Sequence, residues 1–373
     1  MDKRPKIAIF LATSGHSGVE RVMGNLIKGL GGFGIHVDLI RIEGHGPYLE
    51  ETPPNVRVIQ LRVRHVNASI PHLIRYLRDV RPDALLTDKD RVNRAAIFAR
   101  LLARANTTRL VLRIGTTVSE NLKRRPFWAR HSQLTSIRRL YPLAQAILVP
   151  SEGAREDLLT IAPSLQGKVF KVASPIVDES IYKRAKEQVD HPWLMEQRDQ
   201  PLVLGVGELC ERKDFPTLIR AFHLVRQQVD ARLIILGKGK KREELMALTR
   251  RLGIAPYVDL PGFVKNPLAF MKRAHCVCLT SRCEGMPAVL IEALALGRPV
   301  CATDCPSGPR EILKGGLVGR LVKVGDYKAL SEVIIETLKA PPSPATLRAA
   351  IKDFTIQNGT KDYLRHLLPQ YNC

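Results

Sequence analysis

The strongest constraint on this chain's fold is an alternation: short apolar runs of strand length separated by segments with helical spacing. KIAIFLA, HVDLIRI, ALLT, RLVLRI and AILVPS predict strands in the first half. GVERVMGNLIKGL, IPHLIRYLRDV and NRAAIFARLLARA carry apolar residues at helical spacing between them. The second half repeats the logic with PLVLGVG, ARLIILGKG, YVDLPG, HCVCLTS, PVCATD and GRLV. Strands that alternate with helices bury both faces of a parallel sheet, so the expected class is α/β, with two doubly wound Rossmann-like domains. At 373 residues the chain has the length for two. KVFKVASPIVDES closes the first domain, 1–178, with Pro175 opening an irregular connector, and the second runs over 179–349. PPSPATL reads as a Pro-rich break, and IKDFTIQNGTKDYLRHLL as a terminal helix within 350–373. In such folds ligands bind at the carboxyl ends of the strands, here expected to face a cleft between the domains.

Composition narrows the classes. Apolar residues at 45% and charged residues at 25% exclude a disordered or collagen-like chain. The longest apolar stretches fall short of a membrane span, and KRPKIAIFLATSG reads as a first strand rather than a signal peptide. Seven cysteines, without a C-x-x-C pair, suit reduced thiols in a cytoplasm better than disulfides or a zinc site. Lys and Arg number 58 against 36 Asp and Glu, a net charge of +22. The excess is uneven: residues 1–150 hold 25 basic and 11 acidic side chains. Within 101–150 there are nine basic side chains and one acid, Glu120. Over residues 121–143 the cations are interleaved with Phe127, Trp128 and Tyr141, a mixture suited to an anionic membrane surface. Nucleic acid and a plain solvated face compete for the same patch, and charge by itself does not choose.

The motifs carry more. GLGGFG has the spacing of a dinucleotide fingerprint, but it follows a helix and precedes a strand, the reverse of what that motif needs, so it reads as a helix cap and turn. TSGHSGVER joins the first strand to the first helix, where Gly15 and Gly18 would let backbone approach an anionic ligand, although taken in isolation the loop reads better as a plain tight turn. SRCEGMPAVLIEALALGRPV is the most informative segment. Pro287 at a first helical position and Gly297 as a stop predict a helix over Met286–Leu296. Glu284 then lies just before its positive end. Glu292 lies four residues after Ala288 on the same face, about 6 Å along the axis. A diphosphate held by the amides near Ala288 and Val289 leaves a ribose within reach of Glu292 and a sugar near Glu284. The plainer alternative has both acids merely supporting the helix, with Glu292 on a solvated face. VGELCERKDFPTLIRAF is a strand, loop and helix, with Arg212 and Lys213 placed to clamp phosphate oxygens. The histidines show no metal-ligand spacing, and no Ser, Cys or His nucleophile motif is present.

Together these motifs resemble the retaining, nucleotide-sugar-dependent glycosyltransferases of the GT-B fold, family-four type, over nearly the whole chain. Glu284 through Glu292 matches that family's E-x7-E pattern, and SGVERVMGNLIKGL resembles its first loop and helix, with Ser17 where a second Gly is common. VGELCERKDFPTLIRAF, LIILGKGKKREEL, VDLPGFVKNPLAFM and ATDCPSGPREIL followed by GRLVKVGD resemble its further segments in order. The terminal helix around Phe354 and Tyr363 is similar to one that crosses back onto the first domain. The resemblance implies that Gly18 approaches the donor diphosphate and Lys213 binds it. Glu284 meets the transferred sugar near the reaction centre, and Glu292 the ribose. Amides from Met286, Pro287 (whose own nitrogen carries no hydrogen), Ala288 and Val289 mark the stretch that holds sugar and phosphate, and the turn around Val264 holds the base. No metal or redox cofactor is implied, because Arg212, Lys213 and helix amides supply the positive potential. Two positions depart from the pattern. Glu208 stands where the family carries an Arg, a charge Arg212 is placed to replace. Arg113-Ile114-Gly115-Thr116 stands where many relatives place a His.

The expected activity is retaining transfer of a hexose or N-acetylhexosamine, from a UDP-sugar by preference, to a glycan or lipid-linked acceptor in polysaccharide or lipopolysaccharide synthesis. The expected location is the inner face of the cytoplasmic membrane, with no nucleic-acid partner. The alternatives are a sugar-nucleotide epimerase of the same fold and a basic nucleic-acid-binding protein.

Overall fold

The computed structural model of the chain describes residues 5–13, 18–49, 51–123, 125–195 and 200–371. Gly15, His16, Ser17 and Cys373 lie outside these residues. The chain divides into two compact units, Met1–Ile176 with Asp353–Cys373, and Val177–Lys352.

The first unit is built on seven strands: β1 (Lys6–Leu11), β2 (His36–Ile42), β3 (Val56–Leu61), β4 (Ala84–Asp88), β5 (Arg109–Arg113), β6 (Ala146–Val149) and β7 (Val169–Lys171). All pair in parallel, in the order β3-β2-β1-β4-β5-β6-β7. The second unit holds β8 (Leu202–Val206), β9 (Arg232–Leu236), β10 (Val258–Gly262), β11 (Cys276–Leu279), β12 (Val300–Thr303) and β13 (Arg320–Val322). Its order, β10-β9-β8-β11-β12-β13, repeats the doubly wound pattern, with the strand direction of winding reversing between β8 and β11. Such strands are covered on both faces, which is why they read as continuous apolar runs. β1 shows it directly: Ala8 and Phe10 join one core cluster, and Ile7, Ile9 and Leu11 the other.

The terminal helix Ile356–Leu367 packs into the first unit, where Tyr363, Leu364 and Leu367 share a core with Ile7, Ile9 and Leu11. Its approach depends on Gly29 of the helix Gly18–Gly32, because a Cβ there would lie 2.0 Å from Thr360 Oγ1. The GLGGFG segment closes that same helix. Gly34 has a φ of +71° and Ile35 N–H donates to Leu30 O at 3.1 Å, so it is a helix end and turn.

Four local features differ from the sequence expectation. β3 and β7 are additional strands at the sheet edges. PPSPATL is partly helical: Ser343 caps the helix Pro344–Ala349, and Pro344 fits its first turn, where no N–H is needed. The helix after Glu284 spans Ala288–Ala295, shorter than Met286–Leu296, because Pro287 is extended (φ −73°, ψ 103°) and acts as the cap. The basic window forms two helices, Val118–Lys123 and Phe127–Arg139. Cys210, Cys276, Cys278, Cys283, Cys301 and Cys305 are free thiols. No helix among the described residues is long and apolar enough to cross a membrane.

Candidate active site

The site in the second unit is assembled where β8 and β11 lie side by side, from the loops that follow them. After β8 the chain makes a single turn over Glu211–Lys213, then reverses through Asp214 in a left-handed conformation (φ 45°, ψ 46°) into the helix Phe215–Arg226. Asp tolerates that conformation better than most side chains. After β11 the chain runs through Thr280 and Ser281 to Glu284. The two loops are tied together along their backbones. Arg282 N–H donates to Arg212 O at 2.8 Å, and Thr280 Oγ1 donates to Lys213 O at 2.9 Å. Thr303, at the end of β12, fixes the Ser281 carbonyl from behind at 2.6 Å.

This scaffold brings three donors onto one oxygen. Glu284 Oε1 accepts from Lys213 Nζ at 2.7 Å, from Arg212 Nη1 at 3.0 Å and from Ser281 Oγ at 2.6 Å. The Glu284 and Lys213 side chains are 10% and 11% exposed, and that of Arg212 is 32% exposed. Burial pushes the Glu284 carboxyl toward its neutral form, but the charges of Lys213 and Arg212 and the donated bonds outweigh it. The group is held below its ordinary pKa and is ionised. The positive charge of Arg212 thus stands beside Lys213, while Glu208 brings a negative charge that acts on Arg212.

The segment after Glu284 is held from the β12 side. Ser307 Oγ donates to Gly285 O at 3.1 Å. Gly308 has a φ of +83°, and a Cβ there would lie 2.6 Å from Gly285 O and 2.7 Å from Pro287 Cδ. Met286, Ala288 and Val289 are partly exposed at the start of the helix, where the first backbone amides have no acceptor within it. Glu292 is buried on that helix, which excludes the solvated-face alternative. The helix ends in a left-handed Gly297, with Arg298 N–H on Ala293 O and Gly297 N–H on Leu294 O. Val264 lies partly buried in the loop after β10, next to exposed Phe263.

Gly18 begins the helix Gly18–Gly32 in the first unit, and a Cβ there would meet nothing within 4 Å among the described residues. At the carboxyl ends of β4 and β5 the sequence reading missed a buried polar network. Arg113 pairs with Asp88 Oδ2 at 3.0 Å and donates through Nε to the Tyr363 hydroxyl at 2.8 Å. Its signal was present: charged residues ending otherwise apolar strands, in ALLTD and RLVLR. Lys89, next in the chain, has a φ of +73° and a ψ of 141°, a strained conformation for any residue with a side chain. Among the described residues, no group of three or more His, Cys, Asp or Glu side chains is arranged to hold a metal ion.

Similarity to known proteins agrees with this architecture. Residues 188–354 match the family described as glycosyl transferases group 1, and residues 17–164 the glycosyl transferase 4-like domain. A Campylobacter jejuni N-acetylgalactosaminyltransferase is 30% identical over 97% of this chain and 99% of its own. It is described as acting on N-acetylgalactosamine-N,N'-diacetylbacillosaminyl-diphospho-undecaprenol. An uncharacterized glycosyltransferase of Methanocaldococcus jannaschii is 29% identical over 65% of this chain, a match that spans 60% of the archaeal protein. Among solved structures, a lipopolysaccharide outer core galactosyltransferase superposes with a TM-score of 0.73 at 20% identity, over 98% of this chain and 100% of that one. Anabaena HepE in complex with UDP and glucose gives 0.76 at 17% identity, over 98% and 99%. These likenesses confirm two Rossmann-like domains of the GT-B type. With paired doubly wound sheets, the family match across both halves and a relative of this identity over nearly its full length, the chain belongs to the group 1 glycosyltransferases.

Proposed function

We propose that this glycosyltransferase moves a hexose or N-acetylhexosamine from a nucleoside diphosphate sugar, a UDP-sugar by preference, with retained anomeric configuration. The acceptor we infer is a glycan on a lipid diphosphate, in synthesis of a cell-surface polysaccharide or lipopolysaccharide. The observation that carries the reading is the convergence of Lys213, Arg212 and Ser281 on Glu284 at the carboxyl ends of β8 and β11. A diphosphate entering there competes with Glu284 for the two cations, and the ionised carboxylate accepts hydroxyls of the transferred sugar. Glu292 takes the ribose, the amides of Met286, Ala288 and Val289 the phosphates and sugar, and the turn at Val264 the base. Lys213 and Arg212 stabilise the charge that develops on the departing phosphate, so no metal or cofactor is invoked.

In the step itself, the bond from the anomeric carbon to the phosphate oxygen breaks with its electrons going to the phosphate. The acceptor oxygen bonds to the same face of that carbon and its proton passes to the leaving phosphate. No protein nucleophile is required. The lipid-linked acceptor is supported by the acceptor in the Campylobacter relative's description and by exposed Phe127 and Trp128 among the exposed cations Lys123, Arg125, Arg130, Arg138 and Arg139. We place the enzyme at the inner face of the cytoplasmic membrane on the same grounds. Tyr141 does not belong to that surface: it is buried in the first unit's core with its hydroxyl bonded to Asp90 and Asn93.

The test is a panel of nucleoside diphosphate sugars with the purified protein, followed by NMR of the donor and of any product. We expect slow hydrolysis of one donor, transfer with the donor's anomeric configuration when a lipid-diphosphate glycan is added, and loss of both in a folded Glu284→Ala variant. Epimerisation of a donor without acceptor, or inverted product, would overturn the reading.

A further inference from the structure

The end of the second sheet where its strands begin, opposite the candidate active site, carries a pocket of about 270 Å³. Leu202 at the start of β8, Arg232 at the start of β9, His275 just before β11 and Arg298 ahead of β12 all line it. These strands run parallel, so their starting ends lie away from the loops that hold Lys213 and Glu284. Lys272 and Arg273 complete its cationic lining, and no Asp or Glu is among the described lining residues. The volume is near the lower end for small-molecule sites, which limits the occupant to a compact group.

Part of this charge has a structural explanation. Arg273 Nη1 donates to Ala269 O at 2.8 Å and Arg298 Nη1 to Ala274 O at 3.4 Å, where helix carboxyl ends favour cations. Two observations exceed that explanation. Arg232 Nη1 and Arg298 Nε are buried N–H donors with no acceptor among the described residues. Buried guanidinium nitrogens in native proteins are normally satisfied, so such a pair marks a place where an acceptor is missing. Among the described lining residues no acid offsets these cations. Burial lowers the Lys272 pKa, and the charges that act on it are Arg298, Arg348 and Lys186, all positive. The nearest acid in sequence to Arg232, Asp230, is engaged by Arg226 and Gln200. His275 is held neutral, because burial and Arg298 lower its pKa and its Nδ1 accepts from Leu202 N–H at 3.0 Å.

We propose that this pocket is a second anion site, separate from the donor site, that binds a phosphoryl group: phosphate or diphosphate, free or as the exposed end of a larger molecule. Such a group offers acceptors to the Arg232 and Arg298 guanidiniums and neutralises the repulsion that Arg298 exerts on Lys272. Its oxygens match guanidinium geometry.

Trp193 lines the pocket, with the Arg232 guanidinium 4.8 Å from its ring centre, and the chain has one other tryptophan, Trp128. In a Trp128→Phe background Trp193 is therefore a sole reporter. The full chain is titrated with inorganic phosphate, inorganic pyrophosphate, vesicles of phosphatidylglycerol and vesicles of phosphatidylcholine. We expect a saturable change in Trp193 emission with a phosphoryl probe, weakened roughly tenfold or more by Lys272→Gln and by Arg298→Gln, and retained in Glu284→Ala. A response to the inorganic anions identifies a soluble ligand, and a response only to phosphatidylglycerol identifies a lipid headgroup. Retained donor hydrolysis in Lys272→Gln shows that the variant is folded. No saturable response to any of these probes, or equal affinity in Lys272→Gln and the parent, would overturn the proposal. Loss of the response in Glu284→Ala with full retention in Lys272→Gln would instead place the anion at the donor site.

Discussion

A carboxylate that receives Lys213, Arg212 and Ser281 on a single oxygen stays ionised despite its burial. Because the folded pKa is depressed, the stabilisation from these pairs is present above the unfolded value and is lost as pH falls through the folded value. The same ordering sets an acid limb of activity below the usual carboxylate range. In Lys213→Ala the opposing charge is halved while burial remains, so the acid limb of kcat/KM is expected to move upward in pH, read from a pH–rate profile. At its plateau the same variant should lose about a hundredfold or more in turnover, the cost of one preorganised donor at a developing charge. Arg212 is three times as exposed as Lys213, so Arg212→Ala should cost less, about tenfold, measured as donor turnover and donor affinity. Unchanged values for Arg212→Ala would show that it does not replace the charge missing at Glu208. The acids and cations themselves were legible as residues, from the E-x7-E spacing and the strand–loop–helix setting of Arg212 and Lys213. Their contact was not, since 70 residues of chain separate the partners.

At the scale of elements, the loop between Glu284 and the helix Ala288–Ala295 is held by the Ser307–Gly308 turn. Gly308 combines a positive φ with backbone 2.6 Å from where a Cβ would sit. Gly308→Ala should therefore push the Gly285–Pro287 segment aside. We expect a lowered melting temperature, of the size seen where a side chain is forced into a left-handed position, about 1 kcal/mol or more, together with a fall in kcat/KM. Thermal unfolding and steady-state kinetics on the same variant check both. Unchanged kcat/KM would show that this turn does not position the donor loop. Central strands and their helices were legible because burial on both faces leaves runs of apolar residues with little else. β3 and β7 were not, because edge strands bury less and mix polar residues, as VRVIQL does. PPSPATL looked like a break because Pro is a stop signal inside a helix but a start signal at its first turn, and only position distinguishes the two. The helix after Glu284 was placed two residues early for the same reason: Pro287 fits either the cap or the first turn.

For the molecule as a whole, the excess of positive charge has a physical location. Phe127 is 83% exposed and Trp128 73% exposed, on a helix that also presents Arg130, Arg138 and Arg139 to solvent. Exposed aromatics among cations suit an interface where head groups are anionic and the boundary is apolar. Binding to vesicles should therefore rise with phosphatidylglycerol content, fall with added salt, and weaken in a Phe127→Ser, Trp128→Ser variant. A sedimentation assay indifferent to both lipid charge and salt would remove the membrane reading.

The sequence alone determined that this protein is two parallel α/β domains with Glu284 and Glu292 flanking the start of one helix, because periodicity and spacing are local properties of the chain. It also determined the charge and where along the chain the excess falls. Only the tertiary structure decided which charges meet: that Lys213 and Arg212 close on Glu284, that Arg113 pairs with Asp88 under Tyr363, and that four cations gather where the strands of the second sheet begin. Each of these contacts joins residues far apart in sequence, and their energies depend on burial and distance, which packing sets and composition does not.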